Sequence, residues 1–367
     1  MTRSRSGPAG AALAGLLGLA ALAACARAAA PPSGDPVAQA VARVSAERIE
    51  ADIRRLVAFG TRHSLSDTAS ATRGMGAAAR WVEAQFDSIS KANGGRLLVV
   101  RDAWNQEPEE RVPQRARLAN VVAILPGRDR VDPGRPASRQ EAVHPAVPDD
   151  GRLCYVVGAH LDSRANDIMD TVSDAPGADD DGSGVAVVLE CARAMAGTDW
   201  NHTLVFIAFT GEEQSLLGST HWAELAETAE LRVGGVLAND MVGNTLAADG
   251  TRVDGHLRVF SEGVGVGGDE ASARRLAAIG GENDSPSRQW ARFVREAAVR
   301  HVPELEARLV FRRDRFLRGG DHIPFNEAGF AAVRLTEAVE NYEHQHQIPR
   351  VENGVRYGDL PEFVDFA

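Results

Sequence analysis

Between Ser45 and Ala92 the apolar residues fall at helical intervals; beyond Arg96 they gather into short runs of strand length. "SAERIEADIRRLVAFG" opens on Ser45, a residue type that caps helix N-termini, and stops at Gly60, which predicts a helix. In "TRGMGAAARWVEAQFDSISKA" the residues Met75, Ala78, Val82, Phe86 and Ile89 share one helical face, which predicts a second, amphipathic helix. "RLLVVRDAW", "ANVVAILPG" and "RLCYVVGAH" then read as strands. Between the last two, "RDRVDPGRPASRQEAVHPAVPDDG" is rich in Pro, Arg and Asp and reads as a long exposed loop.

After Gly182 strands and helices alternate. "SGVAVVLECARAMAG" predicts a helix ending at Gly197. "HTLVFIAFTG" is continuously apolar, as a strand covered on both faces must be. "SLLGSTHWAELAETAE" predicts a helix, "LRVGGVLAND" and "HLRVFSEG" strands, "SRQWARFVREAAVRHV" a helix and "AGFAAVRLTE" a last strand. Such alternation implies an α/β sandwich with a mostly parallel central sheet, in which ligands bind beyond the carboxyl ends of the strands.

Composition narrows the function classes. The chain has 367 residues, 44% hydrophobic and 25% charged, ordinary for a soluble enzyme. A net charge of -11 argues against nucleic acid or an anionic membrane surface as partner. At the N-terminus Arg3 and Arg5 precede an apolar Ala/Leu-rich stretch, Ala11 to Ala24, too short for a comfortable membrane span. It closes in "LAAC", which resembles a bacterial lipobox with Cys25 as the lipidated residue; an ordinary secretory signal cut near "ARAAA" is the alternative. The expected organisation is a signal peptide over residues 1–25, a flexible tether over 26–36 and one catalytic domain over 37–367, exported and held at the cell envelope through Cys25. Cys154 and Cys191 lie in apolar contexts and read as buried free thiols, with no spacing for a thiolate zinc site.

The strand ends carry the candidate chemistry. "CYVVGAH" leads to His160 and Asp162, "TLVFIAF" to Glu212 and Glu213, and "GGVLAND" to Asp240; near the C-terminus "LTEAVENYEHQHQ" supplies His344 and His346. Asp179, Asp180 and Asp181 stand side by side in "PGADDDGSG". Two like charges about 4 Å apart repel by roughly 1 kcal/mol in water and by more when partly buried. A cation removes that conflict. Imidazole and carboxylate are the ligands of catalytic zinc, and two zinc ions about 3.5–4 Å apart share a bridging carboxylate. The set His160, Asp180, Glu213, Asp240 and His346 carries three negative charges against four positive, so one hydroxide neutralises it. Asp162, two residues past His160 on an extended end, suits a role orienting the imidazole or its neighbours. Of the adjacent Glu212 and Glu213, one can bind metal while the other takes a proton from water.

The motifs "GAHLDS", "PGADDDGSG", "TGEEQSLLGS", "ND" and "GGDHIPFNEAGFAAVRLTE" together make the chain, from about Val57 to its end, resemble the zinc-dependent exopeptidases of metallopeptidase family twenty-eight. The resemblance implies a three-layer α/β/α sandwich with a mixed, mostly parallel sheet, two zinc ions per chain and peptide substrates. It implies that Asp180 bridges, that His160, Asp240 and Glu213 are ligands, that Glu212 is the general base and that Asp162 stands behind His160. The last ligand departs from the family's usual "His-Thr" segment; by register it is His346 rather than His344. His322 is expected in the substrate pocket or behind the ligands, held by Asp321. The family usually continues with a closing helix, whereas this chain ends in "EFVDFA". Release of N-terminal amino acids is the implied activity. The rivals are a single-zinc glutaminyl-peptide cyclotransferase and a lipid-anchored binding domain without catalysis.

Overall fold

The computed structural model describes residues 34–128, 144–146, 153–263, 270–313 and 319–366. The signal peptide, the lipobox Cys25 and the tether up to residue 33 lie outside these, as does most of the Pro/Arg/Asp-rich loop.

The folded unit starts with three helices, α1 (Pro36–Val41), α2 (Ala46–Val57) and α3 (Gly74–Ala92). Ser45 caps α2, its hydroxyl accepting the Arg48 N–H at 3.3 Å. The α3 stripe of Met75, Ala78, Val82, Phe86 and Ile89 is buried, as its spacing predicts. Then follow β1 (Leu98–Gln106), β2 (Ala116–Leu125), β3 (Leu153–His160), α4 (Gly182–Met195), β4 (Thr203–Phe209), α5 (Leu217–Thr228), β5 (Arg232–Asn239) and β6 (His256–Ser261). The chain closes through α6 (Glu270–Ala278), α7 (Pro286–His301), β7 (Glu306–Val310), α8 (His322–Glu327), β8 (Ala332–Glu337) and a small hairpin of β9 (Arg350–Glu352) and β10 (Val355–Tyr357).

Eight strands form one sheet in the order β1-β2-β4-β3-β5-β8-β6-β7. The four central strands β4, β3, β5 and β8 run parallel, while β1 and β2 are antiparallel additions at one side and β6 pairs antiparallel with β8. Strand alternation sorts the core. Val121, Ala123 and Leu125 of β2 pack with α3 and α4, whereas Val122 and Ile124 face Trp222 of α5 and Phe325 of α8. Helices thus cover both faces, giving three α/β/α layers.

Cys154, buried, and Cys191, partly buried, form no disulfide among the described residues. The long loop is not exposed throughout. Ala146 is buried and its carbonyl accepts the Trp222 indole N–H at 3.1 Å, because a buried indole needs an acceptor.

Because β4, β3, β5 and β8 are adjacent and parallel, their carboxyl ends emerge along a single edge. His160 is the last residue of β3, and the segments after β4, β5 and β8 carry Glu212 and Glu213, Asp240, and the loop to His346.

Candidate metal centre

Two triads meet at that edge. His160 Nε2 lies 3.2 Å from Asp180 Oδ1 and 3.8 Å from Asp240 Oδ1. His346 Nε2 lies 2.8 Å from Asp180 Oδ2 and 2.9 Å from Glu213 Oε1. Each triad is compact enough to hold one metal ion, and Asp180 belongs to both through different oxygens. His344 is turned away, stacked on Phe363 with ring centroids 3.6 Å apart.

The backbone around the triads is fixed by carboxylates that do not belong to them. Asp162 accepts the Gly211 and Glu212 N–H groups on Oδ1, at 2.9 and 3.2 Å, and the Glu213 N–H on Oδ2 at 3.1 Å. It therefore holds the loop that presents the glutamate pair. The His160 ring is set by the backbone carbonyl of Asp162, 3.0 Å from Nδ1, which leaves the Nε2 lone pair toward the carboxylates. Asp181 caps α4 through Gly184 and also accepts the N–H groups of His160 and Met241. Asp179 accepts the Gly243 N–H at 2.8 Å. Asp359 receives the N–H groups of Asp179 and Asp180, each at 2.8 Å. Of the crowded trio, then, the middle member faces the triads and its neighbours bond backbone, all three being buried. Beneath them Arg62, wholly buried, donates to the carbonyls of Leu161, Pro176 and Gly177, tying the end of β3 to the Asp loop.

The electrostatics show a site that demands positive charge. Burial opposes a charged imidazolium, yet Glu212, Asp180, Asp181 and Asp240 raise His160 well above its ordinary pKa. Burial likewise opposes protonation of His346, but Glu213 and Asp180 carry it up to about 9. Burial pushes the Asp180 carboxyl up; the two imidazoles outweigh it and hold Asp180 well below the usual carboxylate range. Each terminal carboxylate also has an arginine on its second oxygen: Arg164 Nε lies 2.7 Å from Glu213 Oε2, and Arg334 Nη2 lies 3.0 Å from Asp240 Oδ2. Glu212 differs. Its side chain accepts no hydrogen bond among the described residues. Burial lifts it well above the carboxylate range against the pull of His160, with Glu213, Asp240 and Asp321 reinforcing the rise.

These residues fit zinc. Nitrogen and oxygen donors in two triads are the donor set of a catalytic zinc site. Glu213 Oε1 is buried and has no hydrogen bond among the described residues, although His346 Nε2 is 2.9 Å away, so it is an orphaned acceptor beside the imidazole. A divalent cation satisfies it without a proton.

The structure brings His160, Asp180, Glu213, Asp240 and His346 together and sets Glu212 and Asp162 against them. Asp321 is buried close enough to the cluster to feel the charges of His160, Asp162 and Asp240; burial, against the opposing pull of His160, raises its carboxyl to about 7. Asp321 does not hold His322, contrary to expectation. His322 Nε2 meets the Arg313 carbonyl at 2.6 Å and Nδ1 is unpartnered, because consecutive residues at a helix start point in different directions. Sequence reasoning missed Arg62, Arg111, Arg164, Arg334 and Asp359. Basic residues here are Arg apart from Lys91, so no single arginine stands out.

A three-layer α/β/α sheet that delivers imidazoles and carboxylates from four adjacent strand ends to one point defines a class, the metallohydrolases. Within that class the chain belongs to Peptidase family M28, whose model matches residues 143–348. It is thus a hydrolase of a zinc metallopeptidase family. A probable zinc metalloprotease of Leptosphaeria maculans is 42% identical over 326 residues, 89% of this chain and 71% of the relative. Another, of Pyricularia oryzae, is 40% identical over 330 residues, 89% of this chain and 62% of the relative. Among solved structures, the LapA aminopeptidase of Legionella pneumophila shares the fold at a TM-score of 0.57 and 17% identity, covering 91% of this chain and 70% of that one. The glutaminyl cyclase of Porphyromonas gingivalis shares it at 0.53 and 18%, covering 88% and 92%.

Proposed function

We propose that the chain is a two-zinc exopeptidase that releases N-terminal amino acids from peptides. The observation that carries this reading is the pair of triads joined through the two oxygens of Asp180. His160, Asp180 and Asp240 would hold one ion and Asp180, Glu213 and His346 the other. A zinc pair bound there supplies Lewis acidity and makes water acidic enough to yield a nucleophile near neutral pH.

The protein's own residues do the rest. Glu212, whose carboxylate is committed to no donor among the described residues, takes the proton of the attacking water and returns it to the departing amine. Asp162 keeps Glu212 and Glu213 at their stations through three backbone N–H groups. Arg164 and Arg334 occupy the outer oxygens of Glu213 and Asp240, so each carboxylate presents its other oxygen inward.

Metal analysis combined with a panel of free and end-blocked peptides tests the reading. The expected result is two zinc ions per chain and chelator-sensitive release of single residues from the amino end. One zinc with cyclisation of N-terminal glutamine and no free amino acids would establish the cyclotransferase instead; no metal uptake by folded protein would remove both. Export with lipid attachment at Cys25 belongs to the same proposal. In a bacterial host, labelling with a clickable fatty acid should mark the wild type and be lost in Cys25→Ser; equal labelling of the two would overturn the attachment.

A further inference from the structure

We propose that Arg111 and Arg164 form a carboxylate-recognising subsite beside Glu213, and that the preferred substrates of this hydrolase place a negatively charged carboxylate there. The inference rests on the peptidase reading of the site and names its substrate class.

Both arginines are attached to one residue. Arg164 Nε bonds Glu213 Oε2 at 2.7 Å, and Arg111 Nη1 bonds the Glu213 backbone carbonyl at 3.0 Å. Neither is used up by this. Arg164 Nη1 makes only long contacts to the carbonyls of Ala165 and Asn166, at 3.3 and 3.5 Å, and its Nη2 meets no acceptor among the described residues. Arg111 makes no ion pair among the described residues, so its Nε and Nη2 remain available as a two-pronged donor. That fork matches the two oxygens of a carboxylate.

Beside Arg111, Glu109 accepts from Gln106 and Glu110 forms no ion pair with Arg111 among the described residues. On the loop that carries Arg164, Asp167 accepts the Met169 N–H, Asp170 accepts the N–H groups of Val172 and Ser173, and Asp174 pairs with Arg73. Arg334, by contrast, is buried against Asp240 and is no part of this surface. Both cations stand on firm supports. The loop bearing Arg111 is closed by paired bonds between Glu109 and Val112, and Val112 is buried against Leu118 and Leu217. Arg164 is mostly buried, with 18% of its side chain open to solvent.

Arg164 is charge-paired with Glu213 but keeps donors on its outer nitrogens, and Arg111 adds a positive charge uncompensated among the described residues, so this side of the centre favours an anion over a free amino group. The carboxylate can be the C-terminus of a short peptide or an acidic side chain near the scissile bond. The two sources are separated with alanyl-alanine, alanyl-alanine amide, alanyl-glutamate amide and alanyl-lysine amide on zinc-loaded protein. Charge-assisted hydrogen bonds are worth about ten- to a hundredfold in kcat/KM. The expected result is that preference for the free acid, for the glutamyl amide, or for both, over neutral alanyl-alanine amide, with the lysyl amide poorest. In Arg111→Gln, and separately in Arg164→Gln, the ratio of anionic to neutral substrate should fall by at least about tenfold, read beside zinc content. Calorimetry with acetylalanine and its amide gives a second readout, with the acid binding more tightly to wild type only. Equal rates for all four peptides, or a preference that survives both substitutions at normal zinc content, would overturn the subsite. Failure of the zinc-loaded protein to cleave any peptide would overturn the peptidase reading instead, and the calorimetry would still decide the subsite.

Discussion

At the scale of single residues, Glu212 and Glu213 show how adjacent carboxylates acquire different tasks. Glu213 faces His346 and is drawn below its ordinary pKa, burial being outweighed by that imidazole with Arg164 assisting. Glu212 has no hydrogen-bonding partner among the described residues and is lifted well above its ordinary range. Glu212→Gln should therefore retain zinc and lose at least about 100-fold in turnover, given what a positioned base contributes; steady-state rates beside metal analysis check it, and near-normal turnover excludes Glu212 as the base. His322 makes a second prediction. Burial depresses its pKa to about 4 from an unfolded value of 6.5, because protonation would place a charge and a donor at the unpartnered Nδ1. The unfolded chain takes up this proton below pH 6.5 and the folded one does not until about pH 4. Stability from this group is complete above pH 6.5 and declines as pH falls through that window, by about 3 kcal/mol in all. Denaturant titrations of wild type and His322→Gln from pH 7 to pH 4 should show the variant lacking this part of the acid sensitivity; parallel curves would show that His322 does not titrate in this way. The meeting of the Asp trio with a histidine and acids at strand ends was legible in the sequence, whereas the choice of Asp180 as the shared member came only from the family resemblance. The arginines behind the ligands were not legible, because a guanidinium's partner is chosen by tertiary packing alone.

At the scale of elements, the site follows from strand order. Four parallel neighbours deliver their carboxyl ends to one edge, and apolar runs of strand length were enough to find all four. The elements that escaped had weak patterns. β7 is a charged strand at the sheet edge, and α8 is six residues long, too short to show a helical period. The β9–β10 hairpin did leave a signal, the Asn353-Gly354 pair, whose φ values of 51° and 82° suit a tight hairpin turn. The connections beyond the strands carry the conformational cost. Ser215, Leu216, Met241 and His346 all have positive φ and all stand in the loops that present candidate ligands. Arg62 fixes a further ligand-bearing loop, the one that carries the Asp trio. In Arg62→Met the carbonyls of Leu161, Pro176 and Gly177 lose a buried donor, at about 1–3 kcal/mol for each group left unsatisfied. The expected outcome is a fall in stability of several kcal/mol with reduced zinc occupancy, measured by thermal unfolding and metal analysis. Unchanged occupancy in a folded variant would mean that the Asp loop keeps its shape without this anchor.

At the scale of the whole molecule, the arrangement concentrates acid where a soluble domain normally avoids it. Asp162, Asp179, Asp180, Asp181, Glu213, Asp240, Asp321, Glu337 and Asp359 are all buried. The buried cations near them, Arg62 and Arg334, with Arg164 partly buried, are fewer than the carboxylates. Among those acids, burial first and neighbouring carboxylates second outweigh the backbone N–H groups that pull the other way, raising Asp181 and Glu337 well above the carboxylate range and Asp359 to about 8. The fold by itself thus holds a repulsion that bound divalent ions would relieve. Ions that bind the native state and not the unfolded chain stabilise by an amount that grows with saturation, about 4 kcal/mol at a thousand times the dissociation constant. For a domain of this size each kcal/mol moves the midpoint by roughly 2–4 °C. Stripping the protein with a chelator should therefore lower the thermal midpoint by on the order of ten degrees, and adding zinc back should restore it. Asp180→Ala removes the shared ligand, so in that variant the same chelation should shift the midpoint far less. A chelator shift equal in wild type and Asp180→Ala would locate the stabilising metal somewhere other than the two triads, and with it the premise that the sheet edge is organised around cations.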